Sequence, residues 1–101
     1  MTTSLAINRV QLTGQLLSIQ PIRYTPAGIP VTEATLGHHS EQQEAGMKRQ
    51  VTCEVSVKAL GTLAHQLAAA TTGTELKATG FIATKSLKSR QLILHLETIE
   101  F

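Results

Sequence analysis

The stretch PAGIPVTEATLGHHSEQQEAGMKRQVTCEVSVKA, Pro26 to Ala59, decides how this chain folds. Its second half alternates most regularly. Val51, Cys53, Val55, Val57 and Ala59 fall on one parity, and Gln50, Thr52, Glu54, Ser56 and Lys58 on the other. Side chains alternate across a strand, so this pattern predicts one buried and one open face. The first half repeats the pattern more weakly, with Ala34 and Leu36 against Glu33 and Thr35. Between them His38, His39, Glu41, Glu44, Lys48 and Arg49 read as a long polar connection at the tip of a hairpin. A binding surface is expected on the hairpin's open face and on the loops that meet it.

The flanking sequence completes a barrel. Residues 5–20 read as a first strand with Val10, Leu12 and Leu16 inward, Leu5 and Ile7 on the opposite parity, and Gly14 at a point of tight curvature. Gln20 to Pro30, rich in proline, reads as a turn region. Tyr24 within it is read as covering the core beside Pro26. Leu60, Leu63, Ala64 and Leu67 form one helical stripe, and Gly73 is placed to end that helix. Glu75 to Thr84 reads as strand four, with Leu76, Ala78 and Ile82 inward, Gly80 at a bend and Phe81 off the core parity. Gln91 to Phe101 reads as strand five, with Leu92, Leu94 and Leu96 inward and a phase change near Glu97-Thr98. The expected fold is all-β: a five-stranded OB-fold barrel, one domain over residues 1–101, with one short helix between strands three and four.

Composition bounds the function. The formal net charge is only +2, so any basic patch must be local. Two groups stand out: Lys48-Arg49 in the hairpin, and Lys85, Lys88 and Arg90 in the loop KSLKSR. No apolar run approaches the ~18 residues that span a bilayer. The opening MTTSLAINRV lacks a secretory pattern, and the single cysteine fits a reducing cytosol, so a cytoplasmic protein is expected. Cys53 lies on the apolar parity and reads as a small buried hydrophobe. His38 and His39, with Glu41 and Glu44, invite a metal reading. Adjacent side chains on an extended segment point to opposite faces, however, so no metal or other cofactor is expected. His65 and His95 read as isolated. Phosphate-binding glycine loops and nucleophile motifs are absent from the sequence, and no catalysis is expected.

Three runs carry a family likeness: TPAGIP at Thr25–Pro30, HHSEQQEAGMKRQ at His38–Gln50 with Cys53 three residues on, and GFI at Gly80–Ile82. Together they resemble the primosomal replication protein N family, bacterial relatives of single-stranded DNA-binding proteins. The resemblance implies a homodimeric OB-fold protein without catalysis. It implies binding to single-stranded DNA and contacts with the primosomal helicase and a second primosome loader protein. Carried over by position, it places DNA-contacting basic residues at Arg23, Lys85, Lys88 and Arg90. His39 stands where the family has an arginine, and Met47 and Thr52 stand where it has two aromatic DNA contacts. Lys48 shares its outward parity with Thr52 and joins the expected track.

The replacements weaken the expected binding. A stacked base contributes roughly 1–3 kcal/mol. Thr52 cannot stack, Met47 offers a soft apolar contact, and a histidine at an unperturbed pKa of about 6.5 is mostly neutral at pH 7. An alternative reading follows: an adaptor of the primosome whose DNA binding is vestigial.

Overall fold

The computed structural model describes residues 5–101; residues 1–4, which open the stretch read for a leader, lie outside the described residues. The deciding stretch forms one continuous hairpin. β3 (Pro30–Glu44) and β4 (Met47–Leu60) pair at every step from Val31 with Leu60 to Glu44 with Met47. The expected polar connection is therefore strand, and the loop shrinks to Ala45 and Gly46, with φ of 54° and 76°. Two successive positive φ values are the geometry of a tight hairpin turn whose twist matches the flanking strands. Polarity misled the reading here because the outer half of the ribbon covers no core. Its side chains need not be apolar to hydrogen-bond through the backbone.

Around this hairpin the remaining strands close a barrel. β1 (Val10–Ile19) pairs antiparallel with β5 (Glu75–Thr84), and β5 with β6 (Leu92–Glu100). β6 meets β4 in parallel, and β1 also pairs with β3, which completes a ring of five strands. This is the OB-fold architecture expected. A sixth strand, β2 (Arg23–Tyr24), pairs its two residues with Val31 and Pro30 at the edge of β3. It lies inside the segment expected to be only turn, and it shifts the helix α1 (Thr62–Ala69) from third-to-fourth to fourth-to-fifth in the strand count.

The core sits inside the ring. Leu16, Leu36, Val57, Leu67 and Leu94 are fully buried, and burying each such side chain contributes about 1.5–3 kcal/mol. α1 closes one end through Ala64 and Leu67, and the buried Thr32 hydroxyl donates to the Ala64 carbonyl at 2.8 Å. Leu60 precedes the helix and is exposed, and the helix ends at Ala70 in an extended conformation, before Gly73. Gly73 instead donates its N–H to the Leu16 carbonyl at 2.7 Å, tying the segment before β5 to β1.

Several expected positions move. Leu5 and Ile7 are exposed and precede β1, whose irregularity lies instead between Leu16 and Ser18. Tyr24 is exposed rather than over the core, because β2 is an edge strand. Cys53 is exposed as well, because it pairs with His38 on the part of the ribbon beyond the core. Ile82 and Leu92 are partly exposed near the barrel rim, while Ile93 on the opposite parity is buried. The bend at Gly80 and the phase change at Glu97 prove to be one feature: Thr79 pairs with Thr98 and Gly80 with Leu96, so Glu97 is the extra residue of a β-bulge.

Candidate nucleic-acid interface

Two segments far apart in sequence meet over the β3–β4 ribbon. Arg23 enters from the edge strand β2, and Lys85 from the start of the β5–β6 loop. With Glu33, Thr35 and Ser56 they line one open cleft. Thr35 and Ser56 are cross-strand partners, as are Glu33 and Lys58. The cleft floor is therefore the face of the ribbon turned away from the core.

The loop between β5 and β6 keeps its cations in solvent. The Lys85 N–H donates to the Gln91 carbonyl at 2.8 Å and the Ser89 N–H to the Ser86 carbonyl at 3.2 Å, which makes a compact, closed-off turn. Lys88 and Arg90 are exposed on it, as is Leu87 at its tip. Among the described residues the ion pairs are Arg23–Glu33, Arg49–Glu44 and Lys77–Glu100, at 2.7, 2.7 and 3.3 Å. Lys48, Lys85, Lys88 and Arg90 take part in none of these. Arg23 is the exception within the cleft. An exposed pair of this kind contributes only about 0–1 kcal/mol, so an incoming phosphate can displace Glu33.

On the ribbon the expected residues separate. His39 and Thr52 are cross-strand partners on the open face, joined by a hydrogen bond of 3.1 Å between Nδ1 and Oγ1. Lys48 lies further out on the same face, opposite Gln43. Met47 falls on the other face, opposite Glu44, and is 70% exposed. The expected set thus divides into a cleft pair (Arg23, Lys85), two further loop cations (Lys88, Arg90), a ribbon group (His39, Thr52, Lys48) and a solitary Met47. The ribbon face carries one acid more than it has lysines, since Glu33, Glu41 and Glu54 share it with Lys48 and Lys58. His38 points to the other face. Its Nδ1 lies 2.8 Å from the Thr13 carbonyl and its Nε2 2.8 Å from the Ser40 hydroxyl, so both ring nitrogens are occupied.

One juxtaposition escaped the sequence reading. His95 is not isolated: it pairs with Phe81 on one side and with Lys58 on the other. The Phe81 and His95 rings stack with centroids 5.0 Å apart and planes within 7°. Burial, and then the neighbouring Lys58 charge, hold the imidazole below its ordinary pKa of 6.5. The legible signal was the parity of Phe81, opposite to the core on a strand next to β6; the strand register that brings His95 beside it was not legible.

Known proteins share this fold and much of this sequence. The family described as "another single-strand binding protein family" matches residues 8–98. The replication restart protein PriB of Nitrosomonas europaea is 38% identical over 93 residues, covering 92% of this chain and 86% of that protein. This chain belongs to the PriB family of single-strand binding proteins. The crystal structure of PriB from Ralstonia solanacearum, 35% identical, superposes with a TM-score of 0.86 over 94% of this chain and 97% of that one. The single-stranded DNA binding protein of Thermus aquaticus has a TM-score of 0.74 over 93% of this chain and 49% of its own, at 23% identity, a likeness of fold alone.

Proposed function

We propose that this chain, acting as a single OB-fold unit, is a non-catalytic accessory protein of replication restart that binds single-stranded DNA. The observation that carries this reading is the meeting of Arg23 and Lys85 in one cleft, from segments more than sixty residues apart in sequence. Lys88 and Arg90 extend the positive charge along the loop, and His39, Thr52 and Lys48 continue the track along the ribbon. Met47, on the opposite face, would meet a strand only as it wraps the hairpin tip. Contacts with phosphates release counterions, so binding is electrostatic and salt-sensitive. In the same reading the protein works in the cytoplasm as a homodimer and contacts the primosomal helicase and a second loader protein.

Fluorescence anisotropy of a labelled oligothymidylate, titrated from low to physiological salt, tests this. The Lys85→Ala, Lys88→Ala double variant should bind about tenfold or more weakly. Its log–log salt slope should be shallower by about 1.4, at about 0.7 per lost phosphate contact on a single strand. A double variant with wild-type affinity would move the track away from this loop. The adaptor reading draws on Met47 and Thr52 at the aromatic positions and on Glu33 beside Arg23. Absence of binding even at low salt, with helicase binding retained, would establish it.

A further inference from the structure

We propose that the stacked rings of Phe81 and His95, flanked by Lys58, form a base-stacking platform for single-stranded DNA on the outer face of β5 and β6. This rests on the DNA-binding reading above and adds a subsite to it. The barrel carries a preformed ring stack on its surface.

Three observations favour a nucleic-acid strand as the occupant. First, Phe81 is 38% exposed although its contact with His95 already covers one ring face. A base laid on the exposed part of the Phe81 ring adds to this stack, and the two rings hold each other in place before it arrives. Little side-chain freedom is then lost on binding. Second, the cations are placed for a backbone rather than for an acidic residue. Lys58 adjoins His95 across the β4–β6 junction. Lys85 follows Phe81 by four residues on the same parity, about 13 Å along an extended strand. Third, Lys85 also lines the Arg23 cleft, so the cleft and the ring stack lie along one strand, β5 and the residue that follows it. The cross-strand series Phe81–His95–Lys58–Glu33 ends at Arg23 through its ion pair. A strand leaving the cleft over Lys85 therefore meets the rings next.

The decisive comparison uses two oligomers of equal length, oligothymidylate and an abasic phosphodeoxyribose chain, against wild type and Phe81→Leu. Leucine keeps apolar cover on the sheet and removes the ring. The preference for bases over the abasic chain should fall by about five- to 150-fold, the loss of one stacked base. Affinity for the abasic chain and the salt slope should stay unchanged. Phe81→Trp supplies a second readout, since the chain has no other tryptophan. Its fluorescence should be quenched by oligothymidylate and not by the abasic chain. A Phe81→Leu protein that keeps the wild-type preference, or loses both oligomers alike, would overturn the platform; so would an unquenched Phe81→Trp. If Phe81→Leu binds DNA normally but no longer binds the helicase, the rings belong to a protein interface and the platform is overturned. Wild type that binds neither oligomer would overturn the DNA-binding reading itself, whereas wild-type binding with an unchanged preference in Phe81→Leu removes the platform alone.

Discussion

Gly80 stands where β5 and β6 slip by one residue, and a Cβ there would overlap the His95 carbonyl oxygen. The obstructing atom is backbone, so no side-chain rotation relieves it. Gly80→Ala should therefore cost about 3 kcal/mol, at the upper end for overpacking a tight site, measured as a shift in the urea midpoint. An unchanged midpoint would mean that the bulge at Glu97 absorbs the methyl group. The neighbouring His95 makes a pH-dependent case. Its folded pKa is lowered by burial and by Lys58, below the ordinary 6.5. As pH falls through 6.5 the unfolded chain takes up the proton first, so stability should decline from there down to the lowered folded value and change no further below it on this account. Above pH 7 the group is neutral in both states and contributes nothing. Compared with His95→Gln, wild type should lose stability between pH 7 and pH 5; parallel curves would show that His95 titrates normally in the fold. These residue-scale features were half legible. A glycine on the core parity of a strand announced the bend, but the residue it meets depends on strand register.

At the scale of elements, the core half of each strand could be read from parity, and the outer half could not. Val55, Val57 and Ala59 alternate because they are packed inside or against the barrel wall. Beyond Gly37 and Glu54 the same two strands run on with His38, His39, Ser40, Glu41 and Gln42 facing Arg49 to Cys53. Nothing there needs to be apolar, so the period-two signal fades although the ladder continues. Cys53 is misread for the same reason: parity names a side of the ribbon, and that side is buried only where a barrel lies beneath it. The helix shows the converse. Ala64 and Leu67 are buried as the stripe predicts, while Leu60, in phase with them, lies before the first turn, because Gly61 with φ of 71° separates strand from helix.

For the whole molecule, the five barrel strands were legible from alternation, whereas closure of the ring had to be inferred and the convergence of distant loops was not legible. The TPAGIP and KSLKSR segments each announce a turn, but only the ring of strands brings Arg23 and Lys85 to one cleft. That ring is not uniformly strong. β3 and β4 are laced along their full length, whereas β4 and β6 pair only at Val57 with Leu94 and Lys58 with His95. This junction is the short seam of an otherwise well-sewn cylinder, and local opening starts where backbone pairing is thinnest. The Lys58 amide hydrogen should exchange sooner than those at Leu36 and Val55, as read by NMR; the reverse order would place the weak point elsewhere. The outward side chains at the seam are Lys58 and His95 themselves. If DNA occupies the proposed platform, a strand laid across them works as a stitch over the gap, so that loading the surface and holding the cylinder shut become one event and slow exchange at the seam a gauge of occupancy.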